Sequence, residues 1–171
     1  MTEQTDIVSL RHKTSAMTFT PEQQAAYSKS SAICSRSETC TSEIQEKLKL
    51  WGLNEDDSEA VINQLKEEKF VDDERFARAY VKDKFRFNQW GRQKIAYMLH
   101  SKRISKEIQE AAFEEIEDDN YSDKLLKLLA DKEKTIKAKD QYDKRNKLMR
   151  FAMGKGFESG KIYAAFKELG I

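Results

Sequence analysis

The sequence predicts an all-α fold of three tandem three-helix repeats that form an elongated, curved array. Three observations support this prediction. The chain has only 6 glycines and a single proline in 171 residues, which favours helices over a turn-rich β fold. Apolar residues recur at helical spacing along most of the chain. Three separate stretches also align with one another, as the units of a repeat protein do.

The repeat emerges when EIQEKLKLWGLNEDDSEAVINQL, KIAYMLHSKRISKEIQEAAFEEI and KLMRFAMGKGFESGKIYAAFKEL are aligned from positions 43, 94 and 147. Apolar residues share three early positions: Ile44, Ile95 and Leu148; Leu48, Leu99 and Ala152; Leu53, Ile104 and Phe157. Each stretch reads as a helix, a short turn and a second helix. An additional helical pattern precedes each stretch, so each unit is a three-helix bundle.

The helix starts divide the chain into segments. Thr20 and Pro21 have the residue types of an N-cap and a first helical position. The first helix of the second unit is predicted to begin near Asp72 and run through Phe87, and that of the third unit begins after Ser122. The predicted segments are a polar flexible tail (1–19) and three repeats (20–69, 70–119 and 120–171).

The turns inside the units carry their own signals. Gly52 and Gly156 suit a left-handed residue that ends a helix. Arg103 stands at the equivalent position of the second unit, where it predicts either a modest strain or a different turn. Ser105 and Ser159 are candidate N-caps for the helices that follow.

The segment FVDDERFARAYVKDKFRFNQWGRQKI, residues 70–95, carries the candidate binding surface. On a helical wheel Phe76, Tyr80 and Phe87 share one face, which we expect to be buried. A separate face carries four cations: Arg75, Arg78, Lys82 and Arg86.

Two interpretations of this basic face remain open. It is either a solvated face paired with acids from KEIQEAAFEEIEDDN, or a docking surface for phosphates or an acidic protein. Phe85 is expected beside the basic face, and Trp90 follows with Arg92 and Lys94. Aromatic residues interleaved with cations favour the docking interpretation.

No pattern indicates an enzyme, a metal site or a cofactor. Cys34 and Cys40 lack the spacing of a zinc site and are expected to be free thiols, while His12 and His100 have no catalytic partner in sequence. The Gly154–Gly156 segment is too short for a phosphate-binding loop. The net charge is +1, and no signal peptide or membrane span is evident, so we expect a cytoplasmic monomer.

The segments FVDDERFARAYV, WGRQKIAYML and RISKEIQEA resemble the RecX family of recombination regulators. The matching positions are Phe70, Asp72 or Asp73, Arg75, Phe76, Ala77, Tyr80, Gly91, Ile95, Leu99 and Ile104. FAMGKGF before IYAAF resembles the third repeat of that family, and CSRSETCTSEIQEKL resembles the first. Arg103 departs from the family's usual glycine, and the N-terminal tail lies outside the pattern.

The resemblance implies a curved array that binds the RecA recombinase and its filament on single-stranded DNA. It also implies suppression of filament growth, ATP hydrolysis and strand exchange, with the basic face toward acidic recombinase surface or DNA phosphates. An alternative is a DNA-binding protein that uses its helix-turn-helix-like pairs without a recombinase partner. Preferential binding to the filament over bare single-stranded DNA would favour the first hypothesis.

Overall fold

The structure of the chain is a computed structural model that describes residues 18–171, so most of the predicted tail lies outside it. Within this range the backbone forms nine α-helices and no strand. The helices are α1 (Pro21–Cys34), α2 (Thr41–Leu50), α3 (Glu55–Glu67), α4 (Asp73–Arg86), α5 (Arg92–Ser101), α6 (Lys106–Phe113), α7 (Asp118–Thr135), α8 (Gln141–Lys155) and α9 (Ser159–Leu169). The predicted all-α repeat fold is confirmed.

The helices pack in three groups, each made of three consecutive helices. In each group the third helix contacts both of the others, and we refer to α1–α3, α4–α6 and α7–α9 as repeats 1, 2 and 3. The aligned residues Ile44, Ile95 and Leu148 are all fully buried. The helical pattern therefore identified equivalent core positions, although the exact limits of the repeats stay a prediction.

The buried apolar residues form two separate cores. Repeat 1 has its own core, and the half-buried Phe70 packs against it. Repeats 2 and 3 share one continuous core, which includes Ile95, Leu99, Ile104 and Phe157, and Cys40 of repeat 1 also reaches it. Repeats 2 and 3 are therefore joined by apolar packing, whereas repeat 1 keeps its apolar residues largely to itself.

All three turns between second and third helices have the same conformation. Gly52, Arg103 and Gly156 have φ angles of 87°, 59° and 91°. In each turn the next residue donates its amide proton to a carbonyl in the last turn of the helix at 3.1 Å, which is the bond of a Schellman motif. The second repeat thus keeps the turn without its glycine, and Arg103 bears the predicted strain.

The helix starts agree with the sequence at three positions and differ at two others. Helix α4 begins at Asp73 with Asp72 as its N-cap, as predicted. The Thr20 side chain caps α1 in a capping box with Gln23, and Ser105 caps α6. At α9 the prediction was wrong, because Glu158 is the N-cap residue and Ser159 is the first helical residue. Helix α7 begins at Asp118 rather than after residue 122, and its acidic first turn faces the positive end of the helix dipole.

The buried face of helix α4 differs from the predicted one. Phe76 is buried and Tyr80 is half-buried, as expected, but Phe87 is 81% exposed. Phe87 is the C-cap residue of α4 and still has helical φ and ψ, but the buried face of the helix is rotated away from it and includes Phe85. Phe85 was expected beside the basic face, and this was wrong: it is buried in the shared core and stacks on Tyr121 with ring centroids 5.8 Å apart.

Neighbouring repeats meet through equivalent features. The N-terminus of α2 contacts the turn between α5 and α6, and the N-terminus of α5 contacts the turn between α8 and α9. We call these contacts the first joint and the second joint. Neither α2 nor α5 has a side-chain cap from its own N-cap residue. The following repeat supplies the acceptors instead, which ties the end of each helix to its neighbour.

Within residues 18–171, no helix combines the length and the apolar character that a membrane crossing requires.

Candidate functional site

The predicted basic face of α4 is largely neutralised by acids. Glu115, just after α6, accepts from Arg78 at 2.9 Å and from Lys82 at 2.7 Å. The hydrogen bond from Lys82, and then that from Arg78, lowers the pKa of the Glu115 carboxyl. Arg75 pairs with Glu38 of repeat 1 at 2.7 Å. Three of the four cations therefore fit the interpretation of a paired, solvated face.

Arg86 differs from the other three cations of this face. It lies at the C-terminal end of α4, and its side chain is exposed. Among the described residues, no carboxylate lies within 4.0 Å of its guanidinium. An open groove of about 470 Å³ runs beside it, lined by residues of both signs that include Lys124, Lys127, Glu117 and Asp123. The groove itself is therefore not selective for anions.

Arg92 was a candidate partner contact, but its side chain is engaged within the protein. Its guanidinium pairs with Asp118 at 2.9 Å, donates to the Ile116 carbonyl at 3.0 Å and lies 4.6 Å from the Tyr121 ring centroid. These contacts connect α5 to the start of α7. Arg92 therefore stabilises the second joint and offers little to an external ligand.

A second group of cations lies at Trp90 and beside the segment that precedes it. The ammonium groups of Lys84 and Lys94 lie 5.5 and 4.7 Å from the Trp90 ring centroid. Lys94 also donates to the Gly154 carbonyl, and Lys155 donates to the Asn88 carbonyl, both at 3.3 Å. We call Lys84, Trp90, Lys94 and Lys155 the Trp90 cluster. It combines residues of repeat 2 and repeat 3.

The Trp90 cluster forms a cationic surface whose charges are not paired with carboxylates of the described residues. No carboxylate in the part of the chain that the structure describes lies within 4.0 Å of its three ammonium groups. Contacts with the aromatic ring and with backbone carbonyls limit the freedom of Lys94 before any ligand binds. Each lysine has three N–H donors, so donors remain for carboxylates or phosphates. The geometry of the cluster therefore suits an anionic ligand.

A row of buried and half-buried aromatic rings lies next to this surface along α4. Phe76 and Tyr80 stack with centroids 5.6 Å apart, and Lys84 lies 5.1 Å from the Tyr80 centroid. Lys102 lies over both rings and forms an ion pair with Glu43 of repeat 1. The row thus leads from the first joint toward the Trp90 cluster. Lys102, at the first-joint end, is paired with Glu43, whereas Lys84, at the other end, has no carboxylate partner among the described residues.

The sequence predicted half of the Trp90 cluster. Trp90 and Lys94 were candidates because they follow the basic face, whereas Lys84 and Lys155 were missed. Lys84 follows Tyr80 by four residues, which places the two side chains together on a helix. Lys155 lies 67 residues after Asn88, whose carbonyl it contacts, so only the contact between repeats brings it into the site.

The described residues contain no arrangement typical of an enzyme. No group of three His, Cys, Asp or Glu side chains within residues 18–171 could hold a metal ion. Cys34 is half-buried and Cys40 is buried, and both are free thiols; burial raises the pKa of the Cys34 thiol. The geometry supports a binding surface.

The chain is similar to RecX proteins along most of its length. Residues 72–112 match the family model "RecX, second three-helix domain", and residues 119–166 match "RecX, third three-helix domain". A relative named "Regulatory protein RecX" from Clostridium botulinum is 34% identical over 128 residues, covering 74% of this chain and 59% of the relative. Another from Vibrio parahaemolyticus is 35% identical over 121 residues, covering 70% of this chain and 76% of the relative.

The relative from Clostridium botulinum and another from Clostridium perfringens are longer than this chain, which spans 59% and 55% of their lengths. Two crystal structures share its fold. That of RecX from Lactobacillus salivarius has a TM-score of 0.76 at 24% identity and covers 87% of this chain and 97% of that one. That of a second regulatory protein RecX has a TM-score of 0.79 at 22% identity and covers 86% and 73%.

Proposed function

The chain belongs to the family of RecX regulatory proteins, and on that premise we propose that it is a non-enzymatic regulator of a RecA-type recombinase. In this proposal it binds the recombinase filament on single-stranded DNA and limits filament growth, ATP hydrolysis and strand exchange. The partner follows from the family resemblance, and the protein acts by occupying a surface that the filament needs.

The Trp90 cluster is the observation that carries the proposed contact. Two ammonium groups lie over the Trp90 ring, and that of Lys155 donates to the Asn88 carbonyl two residues before it. None of the three has a carboxylate partner among the described residues, and tryptophan is enriched at protein interfaces. Arg86 is exposed at the end of α4, but it lies two residues from Lys84 and therefore on the opposite side of the helix, where it is a separate candidate contact. We propose an acidic patch of the recombinase as the main partner of these side chains.

Arg75, Arg78 and Lys82 have a secondary role in this proposal. Each already has a carboxylate partner within the protein, so binding a new anion first requires the loss of an internal ion pair. The net gain from such an exchange at the surface is small. These residues contribute to the long-range attraction of an acidic partner more than to the affinity of the final complex.

The test compares two triple variants that remove the same charge. The first is Lys84→Ala/Lys94→Ala/Lys155→Ala, and the matched control is Lys49→Ala/Lys66→Ala/Lys167→Ala, which changes exposed lysines elsewhere. We expect the first to bind the recombinase filament at least about tenfold more weakly, a loss of about 1.4 kcal/mol, while the control stays near wild type. Equal loss in both variants would show that only total charge matters.

The same proteins, titrated with bare single-stranded DNA over a range of salt concentrations, separate the two macromolecular partners. We expect much weaker binding to bare DNA than to the filament. Equal affinities, with a steep dependence on salt, would instead favour the alternative of a DNA-binding protein without a recombinase partner.

A further inference from the structure

We propose that Gly91 and Gly156 form a positioning pair that assembles the Trp90 cluster from two repeats. This inference rests on the proposed function, because it concerns how the proposed binding surface is built. In this view repeats 2 and 3 act as one body, and the surface exists only while the second joint is closed.

The second joint is made of backbone contacts. The Gly91 amide donates to the Lys155 carbonyl at 2.8 Å, and the Gln93 amide donates to the Gly156 carbonyl at 3.1 Å. These two amides lie at the N-terminus of α5, where helix amides have no partners within their own helix. Repeat 3 therefore completes the hydrogen bonding of a helix in repeat 2.

Tyr121 adds a third hydrogen bond to the joint. Its buried hydroxyl accepts from the Arg92 amide at 3.0 Å and donates to the Glu158 carboxylate at 2.6 Å. Its ring lies between Phe85 and Phe157, with centroids 5.8 and 5.1 Å away. One side chain thus connects the end of α4, the start of α5 and the start of α9.

The two backbones can approach only because both residues are glycines. A Cβ atom on Gly91 would lie 2.2 Å from the Gly156 carbonyl oxygen and 2.5 Å from the Phe157 amide nitrogen. A Cβ atom on Gly156 would lie 2.3 Å from the Lys94 Cβ, and its φ of 91° also favours glycine. The atoms that Gly91 would strike are backbone atoms, so rotating a side chain cannot relieve the collision.

The joint places the members of the cluster beside one another. Trp90 precedes Gly91, and Lys94 lies in the first turn of α5, while Lys155 immediately precedes Gly156. The lysine bonds cross the joint in both directions, from Lys94 to repeat 3 and from Lys155 to repeat 2. Separating the glycines by the width of a methyl group would therefore pull the cationic groups apart.

The test is Gly91→Ala in the full chain, with Gly154→Ala as the matched control. A Cβ atom on Gly154 meets nothing within 4 Å, and this residue lies inside α8, where alanine is favoured over glycine. We expect Gly91→Ala to keep its helical circular dichroism but to bind the recombinase filament about tenfold or more weakly. Gly154→Ala is expected to bind like wild type.

A distance measurement reports on the joint without any partner. The exposed Tyr97 on α5 and Tyr163 on α9 are each replaced by a cysteine that carries a spin label. The native thiols are removed by Cys34→Ala and Cys40→Ala, and this protein is the background for the comparison. We expect a narrow distance distribution in the background protein and in Gly154→Ala, and a broad one in Gly91→Ala. A distribution unchanged by Gly91→Ala, or normal filament binding despite a broad distribution, would overturn the positioning role.

Two further outcomes are decisive. If Gly91→Ala loses its helicity, Tyr121→Phe replaces it, because this change keeps the ring packing and removes only the hydroxyl, which accepts from the Arg92 amide and donates to Glu158. We then expect about threefold weaker binding, and wild-type binding would overturn the inference. If the unaltered protein does not bind the filament, the proposed function fails, and the distance distributions still decide whether the glycines close the joint.

Discussion

The two joints use equivalent positions but different chemistry. In the first joint the Ser42 hydroxyl donates to the Lys102 carbonyl at 2.6 Å, and the Asp73 carboxylate accepts from the Thr41 amide at 2.7 Å. Both bonds need a side chain to reach across. In the second joint two of the bonds run directly between backbones, and an apolar core continues from one repeat into the next.

One aligned position explains the difference. Cys40 precedes Ile44 by four residues, as Gly91 precedes Ile95, so Cys40 occupies the place of Gly91. Its side chain is fully buried and lies against the core of repeat 2. Where a side chain fills this position, the backbones stay apart and polar side chains span the gap. Where glycine stands, the backbones make contact and the repeats form one body.

The largest expected effect concerns the apolar residue that directly follows the left-handed residue of each turn. Phe157, after the third turn, is fully buried in the shared core, whereas Leu53 at the equivalent place in repeat 1 is half-buried. We expect Phe157→Ala to lower the free energy of unfolding by about 4 kcal/mol and Leu53→Ala by about 1–2 kcal/mol. Denaturant unfolding measures both values, and equal losses would contradict the idea that the second joint has the larger core.

A smaller effect is expected from the side chains that span the first joint. Ser42→Ala removes the donor to the Lys102 carbonyl and leaves that carbonyl without this partner. We expect a loss of about 1–2 kcal/mol in urea unfolding. Ser58→Ala is a control of the same chemistry inside repeat 1, where the side chain is also buried. A loss from Ser42→Ala no greater than that of the control would mean that the bond adds nothing to the joint.

The third effect is a gain in stability at the turn of repeat 2. Arg103 has a φ of 59°, whereas its counterparts Gly52 and Gly156 adopt this region without a side-chain penalty. We expect Arg103→Gly to raise the free energy of unfolding by about 0.5–1 kcal/mol, since relief of strain exceeds the added freedom of the unfolded chain. A lower melting temperature would show that the weak contact of Arg103 with Gln45 matters more than the strain.

The smallest effect tests the paired face of α4 by pH. The folded-state pKa of Glu115 is lowered by Lys82 and Arg78, so its contribution to stability is present above the unfolded pKa. That contribution is lost as the pH falls through the folded pKa. We expect Glu115→Gln to change stability little at neutral pH and to make acid unfolding slightly less steep. A clear loss of stability at neutral pH would give the ion pairs a larger structural role than their exposure suggests.

The sequence predicted what local pattern and repetition control. The left-handed turns at Gly52 and Gly156 and the cap at Ser105 followed from residue type and spacing. The positions of Phe85 and Phe87 did not, because a helical wheel does not say which face of α4 the neighbouring helices cover, and α7 places Tyr121 against Phe85.

Three features of the site depended on three-dimensional contacts. The acids after α6 were recognised as possible partners of the basic face, but only the fold shows Glu115 between Arg78 and Lys82. Lys155 reaches the Asn88 carbonyl, near Trp90, through the contact between repeats. Gly91 was expected to be a motif position, and its role in close backbone approach required the neighbouring repeat.

Native-state hydrogen exchange of three amides tests the comparison of the joints most directly. Gly91 and Gln93 donate to backbone carbonyls in the second joint, and Thr41 donates to a carboxylate in the first. We predict that the Gly91 and Gln93 amides exchange only when repeats 2 and 3 unfold together, and that the Thr41 amide exchanges through a smaller opening of lower free energy. Equal protection at all three amides, or faster exchange at Gly91 than at Thr41, would contradict the account.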